Sequence, residues 1–215
     1  MNDMQKRTWA EVSLGAIENN YKAIRKRLPE GCKFLGIVKA DAYGHGACEV
    51  AKRLEQCGAD YLAIACLDEA IELRRSGVRM PVLILGHTPP EYVSELLRYD
   101  LTQTVSCEAK ATEFSEAAGR LGGTLKIHIK LDTGMSRLGF LCAGGYFDEG
   151  VKNVVRTCNM PNLDVEGIYT HFAVSDYDDA ESIAYTKRQF KLFCDVISAA
   201  EAQGVHFKIR HCANS

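Results

Sequence analysis

The sequence predicts an α/β chain of the (β/α)8 TIM-barrel class, and three observations carry that expectation. Short apolar runs alternate with amphipathic stretches through all 215 residues. Repeated βα units imply a parallel sheet covered by helices, as a doubly wound open sheet or as a barrel. The phosphate fingerprint expected of an open nucleotide-binding sheet is missing: Gly44-His45-Gly46-Ala47-Cys48-Glu49 starts like GxGxxG but ends in glutamate, and no GxxxxGKS/T occurs. The barrel is therefore favoured. Seven βα-type strands can be counted, one short of eight, and the seventh leads directly into His211-Cys-Ala-Asn-Ser215, so the chain reads as a barrel cut after its seventh strand.

Each element has its own signal. Strands are expected near residues 34–39, 61–66, 81–86, 101–105, 124–132, 163–170 and 206–211, where apolar and β-branched runs are bounded by turn residues. An additional early strand is expected near 8–14, in an N-terminal segment 1–14 that precedes the barrel portion 15–215. Helices show their period between them. Ile17, Tyr21, Ile24 and Leu28 mark the first, and Val50, Ala51 and Leu54 the next. Ala111, Phe114, Ala118 and Leu121 follow, then Val151, Val154, Val155 and Cys158, then Ile183, Phe190, Phe193 and Ile197. Gly58, Gly77 and Gly204 are placed to stop helices.

Composition bounds the function. Hydrophobic residues make up 47% and charged residues 25%, an ordinary globular balance. A formal net charge of −2 gives no electrostatic footprint for nucleic acid or an anionic membrane. The basic clusters at Lys22, Arg25, Lys26 and Arg27 and at Arg74, Arg75 and Arg79 read as solvated helix faces. Nine cysteines with no CxxC pair suggest free thiols in a reducing cytosol. No apolar stretch reaches the length of a membrane span and the N-terminus lacks a signal peptide's apolar core, so a cytoplasmic protein is expected. Metal ligation has little support, since His206 and His211 would face opposite ways on a strand.

The chemistry gathers at strand ends. In a barrel every βα loop opens on the face at the strands' C-terminal ends, where active sites are built. Lys39 after the first strand, His87 after the third, Lys130 and Asp132 at the fifth, His171 after the sixth, and Asn214 and Ser215 after the seventh would converge there, with Tyr43 and Arg137 in adjoining loops. Lys39 ends the run Phe34-Leu-Gly-Ile-Val38, and a partly desolvated lysine is a usable amine nucleophile or base. A surface lysine snorkelling from a strand end is the plainer alternative. Lys126-Ile-His-Ile-Lys130-Leu-Asp132 alternates, which puts two lysines, a histidine and an aspartate on one side. That side is either wet or contains paired or modified groups. His171 alone reads more simply as a structural histidine with a satisfied ring. Asn214 and Ser215 are also ordinary N-cap residues. The acid-rich stretch 173–179 is a lid or, more simply, solvated surface.

Several of these segments resemble one family. KADAYGHG (Lys39 to Gly46), KLDTGMSRLGF (Lys130 to Phe140), Thr170-His171-Phe-Ala and HCANS (His211 to Ser215) are similar to motifs of the alanine racemases, and Thr8-Trp-Ala-Glu-Val-Ser resembles that family's N-terminal strand. The resemblance implies pyridoxal 5′-phosphate as cofactor, Lys39 as its Schiff-base lysine and base on one face of the substrate, and Tyr43 at the cofactor phosphate. It implies that Lys130 is the lysine carbamylated in many members. Arg137 would bond the cofactor's phenolic oxygen and the substrate carboxylate, His171 would lie on the pyridine ring, and Asn214 and Ser215 would belong to the phosphate site. The implied function is interconversion of L- and D-alanine, supplying D-alanine for peptidoglycan. A serine or broad-specificity racemase and a non-catalytic pyridoxal-phosphate homeostasis protein are alternatives, as is a cofactor-free Schiff-base aldolase. Family members continue into an eighth strand with an arginine at the pyridine nitrogen and a C-terminal β domain, to which the early strand would belong. A tyrosine from the partner subunit of a homodimer is their second base, so this chain alone would be inactive.

Overall fold

The computed structural model describes residues 8–213 and consists of two compact units, Met1–Val82 and Leu83–Ser215. The dividing point lies within one strand, β3 (Val82–Ile84).

In the first unit, helix α1 (Leu14–Arg25) starts where Ser13 accepts a hydrogen bond on Oγ from the Ala16 N–H at 3.2 Å. This is an ordinary N-cap. Where the early strand is expected, residues 8–13 form no strand among the described residues and Leu14 is already helical, while residues 1–7 of that segment lie outside the described residues. A strand needs a ladder partner, and no described ladder includes these residues. Only Tyr21 of the expected stripe is buried: Ile24 is 48% exposed, and the helix ends at Arg25, before Leu28.

Strand β1 (Leu35–Ile37) pairs in parallel with β2 (Tyr61–Ile64), with Leu35 opposite Tyr61 and Ile37 opposite Ala63. The Leu62 N–H donates to the Pro81 carbonyl at 2.9 Å. Every residue of β2 is buried, as expected of a parallel strand covered on both faces. After the short turn α2 (Lys39–Gly44), helices α3 (Ala47–Gln56) and α4 (Leu67–Arg75) bury Val50, Ala51, Leu54, Ala70 and Leu73. Both stop as the sequence predicts. Gly58 and Gly77 have φ of 83° and 105°, and the following N–H groups reach back to the Leu54 and Leu73 carbonyls.

In the second unit β3 pairs with β4 (Thr102–Val105), β4 with β5 (Leu125–Asp132), β5 with β7 (Leu163–Tyr169) and β7 with β8 (Ile209–His211), all in parallel. A further short strand, β6 (Phe140–Leu141), was not expected. It forms because the Gly-rich loop folds back onto β5, with Phe140 opposite Leu131 and Leu141 opposite Asp132. Gly139 permits the return: its φ is 137°, and a Cβ there would sit 2.5 Å from the Asp132 backbone nitrogen.

Helices η1 (Pro90–Tyr92), α5 (Val93–Arg98), α6 (Glu108–Arg120), α7 (Phe147–Cys158) and α8 (Ala180–Glu201) connect these strands. Asp179 caps α8 by accepting from the Glu181 and Ser182 N–H groups. On α8 the expected stripe is only half right. Phe193 and Ile197 are buried, but Ile183 and Phe190 are 40% and 50% exposed, and Gln189 takes the core position at 1%. No described helix is long and apolar enough to cross a membrane.

Candidate active site

Lys39 follows β1 and is half-buried. The next four residues, Ala40 to Tyr43, form one left-handed turn in the segment Lys39–Gly44, with φ of 51–55° and ψ of 39–50°. A left-handed helical residue other than glycine costs ~1–2 kcal/mol, so such a turn persists only where its surroundings hold it. They do so here. Glu69 accepts the Ala40 N–H at 2.7 Å and the Ala65 N–H at 2.6 Å, bridging the ends of β1 and β2. Asp41 accepts the Ala47 N–H at 2.7 Å, and its carbonyl takes the Gly46 N–H at 2.9 Å. His45 meets the Ala42 carbonyl through Nδ1 at 2.9 Å, and since a carbonyl only accepts, that nitrogen carries the proton. The turn brings Tyr43, itself 62% exposed, back beside the lysine, with Nζ 6.0 Å from the ring centroid.

In the second unit the charged strand β5 has no wet face beyond Lys126. That lysine pairs with Asp100 at 2.7 Å, and every residue from Ile127 to Asp132 is buried. The reading of a packed side with paired groups therefore holds, and the pairings are visible. Asp132 accepts the Gly134 and Ser136 N–H groups at 2.9 and 3.0 Å, which shapes the loop carrying Arg137. Lys130, 5% exposed, has Nζ 5.8 Å from the centroid of Tyr169.

Tyr169 is the site residue that sequence reasoning missed. Its hydroxyl meets Thr104 Oγ1 at 3.0 Å, and its ring stacks on His211 at 4.6 Å and 12°. Burial pushes the phenol up to about 12, against the pull of the Thr104 hydrogen bond and of the Arg137 charge. Lys130, Arg137 and His211 thus gather around one phenol. The available signal was its place at a strand's C-terminal end, one step before Thr170-His171.

His211 Nε2 lies 3.0 Å from His128 Nδ1. The His128 ring fits against Gly167, where a Cβ would come within 2.8 Å of it. Burial pushes His128 down to about 3, with the neighbouring His211 adding to the effect, and burial pushes His211 down to about 4. Burial thus favours the neutral form of both rings in the folded chain. An unfolded histidine binds a proton below about 6.5, so the unfolded state gains protons as the pH falls and stability is lost on that side. The expected loss is about 2 kcal/mol per histidine between pH 7 and pH 5. Denaturant midpoints at the two pH values check this, and His128→Gln should weaken the dependence. Equal midpoints in the unaltered chain would refute it.

His171 follows β7 and is half-buried. His87, after β3, shares a small recess with Thr104, Ser106, Lys110 and Leu138, the neighbour of Arg137. The second unit thus brings together His87, Lys130, Arg137 and His211, while Lys39 and Tyr43 belong to the first. Asn214 and Ser215 lie outside the described residues. Among the described residues no group of three or more His, Cys, Asp or Glu comes together that could hold a metal ion.

A family model described as "Alanine racemase, N-terminal domain" matches residues 12–215. The chain belongs to the alanine racemase family. It is 42% identical over 212 residues to an alanine racemase of Desulforamulus reducens, a match covering 99% of this chain and 55% of that protein. Among solved structures, an alanine racemase of Clostridium difficile 630 superposes with a TM-score of 0.91 at 38% identity over 99% of this chain and 54% of the other. The Bacillus anthracis alanine racemase, solved with bound L-Ala-P, gives 0.88 at 34% identity over 100% and 53%. The chain spans about half the length of the relatives it matches. Membership bears out the barrel expectation, with seven principal parallel strands of the family's N-terminal domain. The family is pyridoxal-phosphate dependent.

The residues fit that cofactor by the chemistry of their donors. A half-buried amine follows a strand end, where an aldehyde can be captured. Tyr43 offers an exposed hydroxyl near it, and Arg137 offers an exposed guanidinium for a phenolic oxygen or a carboxylate.

Proposed function

We propose that the protein is the barrel portion of a pyridoxal-phosphate-dependent alanine racemase that interconverts L- and D-alanine. The observation that supports this most is the strained turn after Lys39: its four left-handed residues set Tyr43 beside the lysine amine. When bound, the cofactor delocalises the electron pair left at the substrate's Cα after proton removal. The chain's own groups do the rest. Lys39 would hold the cofactor by its amine and would move the proton at one face of the substrate's Cα. Tyr43, Asn214 and Ser215 would hold the cofactor phosphate, and His171 would contact its ring. Arg137 orients the phenolic oxygen and the substrate carboxylate.

Lys130 is carbamylated in this reading. The change replaces a buried cation beside Tyr169 by an anion that Arg137 can pair with. The protein works as a cytoplasmic homodimer without nucleic-acid or membrane partners, and its D-alanine serves peptidoglycan synthesis. The base on the opposite face comes from the partner subunit's C-terminal domain. Alanine racemisation by a chain extended to the length of its relatives, loaded with pyridoxal phosphate, tests the proposal. Turnover of L- to D-alanine is expected. Cofactor binding without turnover of any amino acid would favour a homeostasis protein instead, and preferential turnover of serine would move the substrate assignment.

A further inference from the structure

Phe190, not Gln189, has the side chain expected on the core face of α8, yet Gln189 is the buried one. Both ends of its amide are engaged. Oε1 accepts the Ala173 N–H at 2.9 Å, and Nε2 lies 3.4 Å from both the His171 carbonyl and Thr133 Oγ1. The orientation is fixed by its neighbours, since a backbone N–H only donates and a carbonyl only accepts. The proton direction continues outward. Thr170 donates to the Leu131 carbonyl at 3.2 Å, so at the 2.7 Å contact between hydroxyls Thr133 is the donor, which leaves Thr133 Oγ1 free to accept from Gln189. One turn earlier on the helix, Tyr185 donates to the Gly134 carbonyl at 2.7 Å.

We propose that Gln189 is a positioning residue of the racemase site, whose amide locks the loop leading to Arg137 against the loop carrying His171. The inference rests on the racemase reading, because it needs Arg137 and His171 to meet the same bound molecule. Residues 133 and 134 open the Arg137 loop, and residues 171 and 173 are in the His171 loop. One side chain on α8 bonds both. Because the chain of donors runs one way, shape alone cannot replace it: a glutamate of the same size would set an acceptor against the His171 carbonyl and Thr133.

The test uses the full-length holoenzyme. Gln189→Glu and Gln189→Met are each expected to lower kcat by about 10²-fold, the effect of a small displacement in a reacting geometry. They should also shift the visible absorption of the bound cofactor, which responds to Arg137 and His171. Lys191→Ala, on the exposed face of the same helix, should leave both unchanged. A fall in Tm alone, with kcat, KM and absorption per folded holoenzyme unaltered, would overturn the proposal. Should the Gln189 variants not fold, Thr133→Val breaks the same network from the other loop, and slow hydrogen exchange at the Ala173 amide of the unaltered holoenzyme is required; fast exchange there overturns the proposal. If the unaltered protein binds cofactor but racemises nothing, the racemase reading fails on its own, while the absorption shift still reports on the positioning.

Discussion

Replacing Lys39 by alanine is expected to abolish cofactor attachment and racemisation together. The amine is half-buried directly after β1, and the turn that follows is held by Glu69 and Asp41 through backbone N–H groups that the substitution leaves in place. The variant should therefore fold while losing its chemistry. General acid–base catalysis alone is commonly worth ~10²–10⁴-fold, and here the same residue also anchors the cofactor, so activity should fall to background. Absorption spectra and alanine turnover of the full-length variant check this. A variant that keeps the cofactor's visible band would remove Lys39 from its assigned role.

Arg137→Lys is the second large effect, expected to cost about 10²-fold in kcat/KM with the cofactor still bound. The guanidinium is a planar fork suited to a phenolic oxygen and a carboxylate, and an ammonium is a point charge. The loop should survive the exchange, because its shape comes from Asp132 and the Gly134 and Ser136 N–H groups rather than from Arg137 itself. The same variant should change the environment of Tyr169, whose hydroxyl feels the Arg137 charge. Unchanged kinetics would place Arg137 outside the site.

Much of the fold was legible because parallel strands buried on both faces are written as apolar runs. Leu62 to Ile64 and Val82 to Ile84 are clear examples. Three features were not legible, each for a physical reason. The left-handed turn after Lys39 depends on partners as distant in sequence as Glu69, and alanines and a tyrosine carry no local preference for it. Strand β6 is two residues long and owes its place to Gly139 rather than to any run of its own. On α8 the helical period chose Phe190 over Gln189, because a periodicity reading ranks by apolarity and cannot see that three loop groups need an amide.

The candidate site was read from the sequence only where its residues lie in motifs. Lys39, Tyr43, Lys130, Arg137 and His171 are single letters in recognisable strings, whereas Tyr169 and the His128–His211 pair are defined by contacts across strands. Gly167 illustrates the difference. It lies opposite His128 in the β5–β7 register, and its lack of a side chain makes room for that ring.

Lys39, and no other lysine, is expected to carry the cofactor. This is tested by incubating the protein with pyridoxal 5′-phosphate, reducing with borohydride and mapping the labelled peptide. The label is expected on Lys39, in the peptide containing Ala40 to Gly46. A label on Lys130, the other lysine assigned to the site, or one spread over exposed lysines such as Lys191, would contradict it.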